Sequence, residues 1–305
     1  MNTLSALRGQ LASLGLAPRQ DATTLTLSAR PRKLFTLGGP PRVVIDLPAD
    51  TAKGAQPAAA APLDPRLQAV LGKQLRWDRT VQQVGGRRIL LNAVRFDPRD
   101  TSLELRPLSH PQTMEGLSSL VGLARHHDAL VAINGGFFNR VRRLPLGALR
   151  EQGRWRSGPI LNRGVVAWEP RSLPRFGRLS LQEWVSDGSG RRWPVDFVNS
   201  GYVKRGLSRY TADWGRVYRA LSGAESAVLV RQGAVQQRFD QARLAAGDPL
   251  APGDVLLVGR AGTVLPWRPG ERLDLDSRPS SDLGQATNVL GGGPLLLLNG
   301  QRVLN

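Results

Sequence analysis

From Gly164 to its last residue the 305-residue chain carries its apolar residues in runs of strand length, each closed by glycine, proline or a polar turn. This punctuation limits the fold more than any other feature of the sequence. The runs are Gly164–Trp168, Arg178–Val185, Ala227–Val230, Val255–Val258 and Pro294–Leu298, each too short for a helix of ordinary length and bounded by turn residues. A helical period is seen between Met114 and His127, where Met114, Leu117, Leu120, Val121 and Ala124 recur at three- and four-residue intervals. The expected class is α+β, mostly antiparallel sheet with few helices, preceded by a small β segment.

The organisation divides into three parts. Thr24–Pro48 holds two alternating apolar segments around Gly38, Gly39, Pro40 and Pro41, which reads as two strands and a turn within a β segment spanning 1–50. Residues 51–65, rich in Ala and Pro without apolar periodicity, read as a linker. A globular part then spans 66–305. It opens with a short helix through Leu71 and continues with strands at Arg87–Phe96 and Ser102–Leu105 joined by a turn at Asp97–Asp100.

A formal charge of +18 raises the prospect of a polyanionic partner. Of the 42 cationic residues all but Lys33, Lys53, Lys73 and Lys204 are arginines, dispersed along the chain with no zinc spacing, helix-turn-helix signature or RNA-binding aromatic motif. A nucleic-acid partner therefore rests on charge alone; a solvated basic surface is the plainer reading of the distribution, and attraction to anionic glycans or phosphates is the main functional alternative. The absence of cysteine removes disulfides, thiol nucleophiles and thiolate metal sites. No run approaches the roughly 20 apolar residues of a membrane-spanning helix, and residues 1–20 show no secretory signal pattern.

The stretch AINGGFFN, Ala132–Asn139, follows a short apolar run at Ala129–Ile133 that reads as a buried strand. Gly135 and Gly136 allow left-handed backbone and close approach of a ligand to main-chain amides, while Asn134 and Asn139 supply neutral donors and acceptors suited to sugar hydroxyls or phosphate oxygens. Asn134–Asn139 is thus expected to line the principal cleft. A tight turn with an Asx bond and a packed Phe pair is the structural alternative.

With the blocks LPLGALREQGRW (144–155), LNRGVVAW (161–168), VNSGYVKRGLSRYTADWG (198–215) and VLGGGPLLLLNG (289–300), AINGGFFN resembles the phosphodiester glycosidase family, from about Leu75 onward. The family includes the uncovering enzyme that removes N-acetylglucosamine from a phosphodiester, and exported bacterial relatives. Pro40–Leu47 is similar to the end of an AMIN domain, a small cell-envelope module. These resemblances imply an envelope hydrolase, periplasmic or extracellular, that cleaves a sugar from a glycosyl phosphodiester. Family members continue into an Asn-Leu-Asp-Gly-Gly-Gly-Ser turn that this sequence lacks, so the resemblance implies a domain incomplete at its C-terminus and an active site present only in part. The alternative is a non-catalytic module that binds cell-wall glycan.

Within the matched blocks, Asn134, Gly135, Gly136, Phe138, Asn139, Arg163, Asn199 and Arg205 are the candidate substrate-binding residues. Arg205, with Lys204 beside it, presents a planar fork for phosphate. Hydrolysis at an anomeric carbon ordinarily uses two carboxyl groups, but a phosphate leaving group can be stabilised by cations or amides instead. Asp196 and Asp213 are the carboxylates available in the blocks. Both read as turn or surface residues, neither is assigned as nucleophile, and the resemblance places that role in the acidic turn. His126 and His127 read as cations at a helix C-terminus rather than metal ligands. No metal or other cofactor is called for. The expected partner is a sugar-phosphate or cell-wall glycan, with oligomeric state open.

Overall fold

The computed structural model describes residues 19–20, 25–26, 33–37, 42–46 and 65–303. The chain divides into two compact units, 1–97 and 98–305. In the first, Lys33–Leu37 pairs antiparallel with Arg42–Asp46, and Arg19–Gln20 with Leu25–Thr26. Linker residues 51–64 lie outside the described residues. Pro65 opens a helix that runs to Leu71, a position where its missing N–H costs nothing.

Arg76–Val84 and Arg87–Arg95 then form a regular antiparallel hairpin. Its turn is Gly85–Gly86, with φ of 55° and 76°, the mirror-image geometry that matches the twist of the flanking strands. The strand expected at Arg87–Phe96 is present, but its partner precedes it. Ser102–Leu105 forms no strand, because Asp100 instead takes the Ser102 amide and hydroxyl at 2.8 and 2.7 Å.

The second unit is strand-rich and almost entirely antiparallel, with few helices, as its glycine punctuation requires. One five-stranded sheet runs in the order Arg154–Ser157, Leu149–Glu151, Asn288–Gly291, Gly164–Trp168, Arg175–Arg178. A three-stranded sheet has Leu181–Asp187 between Arg192–Val195 and Leu273–Pro279. A second five-stranded sheet runs Phe197–Val198, Gly206–Thr211, Val255–Arg260, Glu225–Arg231, Ala234–Phe239, and its first pairing is parallel.

The core follows the two-residue alternation of these strands. Val228 and Leu257 face Val185, Trp267 and Leu273, so this cluster lies between the second five-stranded sheet and the three-stranded one. The alternating neighbours Ala227, Leu256 and Val258 turn to the opposite face and pack with Tyr210, Trp214, Tyr218 and Leu244. Ala148, Val165, Ala167 and Val289 form a third cluster on the first sheet, and Trp155 packs against both it and the Trp267 cluster.

Two local expectations are corrected. The helix expected over Met114–His127 is confined to Leu120–His126, capped by the Ser119 hydroxyl at 2.9 Å from the Gly122 amide. Its first half is drawn away by tertiary bonds: the Met114 amide donates to Trp214 O at 2.7 Å, and Thr113 bridges to Gly215. His126 and His127 do stand at the helix C-terminus. Residues 129–133 form no strand either. Leu130, Val131 and Ile133 are exposed, Ile133 at 85%, and the strand falls after the glycines, at Phe137–Asn139 paired with Leu144–Leu146.

Candidate functional site

The two glycine motifs that are furthest apart in the matched blocks meet in the fold. A Cβ on Gly135 would stand 2.6 Å from Leu290 Cδ2, so the chain crosses close over the end of the Leu290 side chain, which would have to shift for any larger residue. Gly136 has φ +69°, the left-handed region, as the chain turns into the Phe137 strand. Phe137 then lies against Gly293, whose hypothetical Cβ would be 3.4 Å from Phe137 Cζ. Gly291 is held by its amide to Ala148 O at 2.7 Å, and Gly292 to Gly164 O at 2.8 Å. The triple glycine is thereby pinned between two strands of the first sheet.

Arg163 completes this surface. Its guanidinium carbon sits 5.7 Å from the centre of the Phe137 ring, within range of a cation–π contact. It is delivered by a turn in which the Arg163 amide donates to Ile160 O at 3.3 Å while Leu161 and Asn162 have φ of 56° and 46°. Two successive non-glycine residues in the left-handed region cost backbone energy, and such strain concentrates where a side chain must be aimed. The result is a half-buried cation over an aromatic ring, beside glycine backbone from two segments.

The other predicted residues are not gathered here. Asn199 is buried and fully engaged: its amide nitrogen donates to Trp155 O at 2.8 Å and Thr211 Oγ1 at 3.0 Å, and its oxygen accepts from the Thr211 amide at 2.9 Å. It clamps the Trp155 strand to the Thr211 strand end. Asn139 accepts from the Val141 and Arg142 amides at 3.0 and 2.9 Å, the Asx turn that was the structural alternative. Asp196 accepts from the Leu207 amide at 2.9 Å, and Asp213 lies 2.5 Å from Arg154 Nη2. Arg205, Asn134 and Phe138 are exposed. An open cleft of about 410 Å³ lies between the Leu120–His126 helix and residues 128–132; it takes in Ala132 and stops short of Asn134.

Sequence reasoning named Phe138 and passed over Phe137 and Leu290–Gly293. The alternation of side chains along a strand makes the two phenylalanines face opposite ways, and only the pairing with Leu146 decides which one meets Arg163. Near Asp213, Arg156 is half-buried, and burial lowers its pKa despite the opposing charges of Glu151 and Asp213.

No family model and no curated protein matches the chain. Solved structures do, among them the following two. A hypothetical protein from Synechocystis has a TM-score of 0.73 at 32% identity, over 95% of this chain and 54% of that one. A "Putative exported protein" from Burkholderia pseudomallei has a TM-score of 0.55 at 20% identity, over 97% of this chain and 65% of that one. The chain thus spans about half the length of the first protein and shares the fold of both. Among the described residues no helix is long and apolar enough to cross a membrane.

Proposed function

We propose that the unit is the sugar-phosphate-binding part of a phosphodiester glycosidase acting in the cell envelope, outside the cytoplasm. The observation that carries this reading is the meeting of Arg163, Phe137 and the glycine backbones of 135–136 and 291–293 on one surface. Arg163 offers a planar fork to a phosphodiester oxygen, Phe137 a ring edge for a sugar, and the exposed Gly135 and Gly136 an approach to main-chain amides that a side chain would block. Stabilising the departing phosphate is the chemistry this set suits. The exported description of one structural neighbour agrees with an envelope location. The AMIN-like segment at 1–50 would direct the protein to the cell wall.

A non-catalytic glycan-binding module is the second reading, favoured by the engagement of Asp196 and Asp213 in other bonds. Both readings are tested by titrating a glycosyl phosphodiester while assaying for released reducing sugar. Arg163→Ala is expected to weaken binding by roughly 10- to 100-fold, the loss of a charge-assisted hydrogen bond of about 1.5–3 kcal/mol. Binding with sugar release selects the hydrolase, and binding without release selects the module. Unchanged affinity in the Arg163 variant sinks the site.

A further inference from the structure

The geometry points to a second binding surface, for a flexible polymer with an anionic phosphodiester backbone, at the tip of the hairpin formed by Phe137–Asn139 and Leu144–Leu146. Three loops build it: residues 140–143, 202–205 and 216–221. They are neighbours in space. Arg142 donates to Leu221 O, the Gly201 amide donates to Pro145 O at 3.1 Å, and Leu144, Val203 and Leu221 share one apolar cluster.

These loops contribute Arg140, Lys204, Arg205, Arg216 and Arg219, all exposed, and none of the three contains a carboxylate. The acids of adjoining segments are engaged elsewhere. Asp213 pairs with Arg154, Glu115 accepts from Trp214 Nε1 at 3.2 Å, and Glu225 is held by Arg260 at 2.7 Å. A concentration of cations without local compensation raises the potential over this end of the unit.

The partner's class follows from what the loops lack as well as what they hold. The cations stand on exposed side chains spread over three loops, with no enclosed polar cup for a small anion. A flexible polyanion instead gains a little at each cation and releases counterions as it binds. Single-stranded nucleic acid would also need open ring faces for its bases. Tyr202, the exposed-side aromatic of these loops, is covered by Lys204 at 5.5 Å from its centre and by Phe197 edge-on at 5.5 Å, while Tyr218 is buried. The Phe137–Asn139 strand leads from the Arg163 surface to this tip, about 10 Å away at roughly 3.3 Å per residue. A polymer held at the tip is therefore presented lengthwise to that surface. The inference needs no catalytic step and survives if the chain proves inactive.

The test is binding of fluorescent poly(glycerol phosphate), followed by anisotropy, to the wild-type chain and to R140S/K204S/R205S/R219S. The quadruple variant is expected to lose more than tenfold in affinity while keeping its thermal midpoint, and R268S/R272S, which removes the same kind of charge outside these loops, to lose less than threefold. The wild type should weaken by roughly 100-fold between 50 and 200 mM salt if about five phosphates are engaged. Should the quadruple variant fail to fold, Arg140→Glu alone is expected to weaken binding severalfold. Equal affinity of the variant and wild type, or tighter binding of single-stranded DNA of equal charge, would overturn the assignment.

Discussion

Glu225→Ala is expected to destabilise the second unit by about 3–5 kcal/mol, because it strands a guanidinium in the core. Arg260 is only 2% exposed, and its Nε donates to Glu225 at 2.7 Å. Its remaining donors reach Ser208 Oγ at 2.7 Å and the Tyr210 and Tyr218 hydroxyls at 2.9 Å each. Tyr218 in turn donates to Glu225 at 2.7 Å, Ser222 does so at 2.9 Å, and Tyr210 donates to Ser200 O at 2.7 Å. A network so fully satisfied tolerates removal of both charges better than removal of one. E225L/R260M should accordingly recover much of the loss, since apolar replacement of a buried pair is often near neutral.

Chemical denaturation of the two variants measures the difference, against a total of about 5–15 kcal/mol for an ordinary domain. A loss below about 1 kcal/mol in Glu225→Ala would refute the account. The same core has an alkaline limit. Burial pushes the Tyr210 hydroxyl up to about 12, although Arg260 opposes this, and burial raises Tyr218 as well. A raised folded pKa means that the stabilisation is complete below the unfolded value near 10 and is lost as pH rises through the folded value. Stability should therefore fall between about pH 10 and 12 as these hydroxyls are forced to ionise.

Gly201→Ala should have the second large effect, and it reaches the candidate site. A Cβ there would lie 2.4 Å from Leu144 Cβ and 2.5 Å from Pro145 O, backbone that has no flexible end to yield. Overpacking of this kind typically costs about 1–3 kcal/mol. The strand that must move, Leu144–Leu146, is the partner of Phe137–Asn139, so the Phe137 ring should shift from Arg163 and glycosyl-phosphate affinity should fall with stability. Gly188→Ala is the control, as nothing lies within 4 Å of its Cβ position. Equal thermal midpoints and equal ligand affinities in the two variants would show that the close approach at Gly201 is not tight.

The same contacts explain which parts of the site were legible. Gly136 and Arg163 stand out in sequence because residue type alone carries their use: freedom at positive φ and a planar cation. Asn199, Asn139 and Asp196 were legible as polar residues in conspicuous blocks but not by destination, because an amide or carboxylate bonds a nearby backbone N–H as readily as a ligand. In all three the backbone won. The Met114–His127 helix failed for a related reason. Its apolar period is real, yet Met114 and Thr113 gain sheet-like bonds to the Trp214 segment, which a local pattern cannot register.

By itself the sequence determined the strand-rich, mostly antiparallel class and the residue types available for binding an anion. These are local properties, decided by sterics and two-residue alternation within a few positions. Only the tertiary structure decided that Asn288–Gly291 inserts between Leu149–Glu151 and Gly164–Trp168. That insertion sets Leu290 against Gly135 and Gly293 against Phe137, while the pairing of Phe137 with Leu146 turns Phe137 rather than Phe138 toward Arg163. Such pairings join segments more than a hundred residues apart, and the energy that selects among them lies in the shared core of Ala148, Val165, Ala167 and Val289, which exists only once the strands have met.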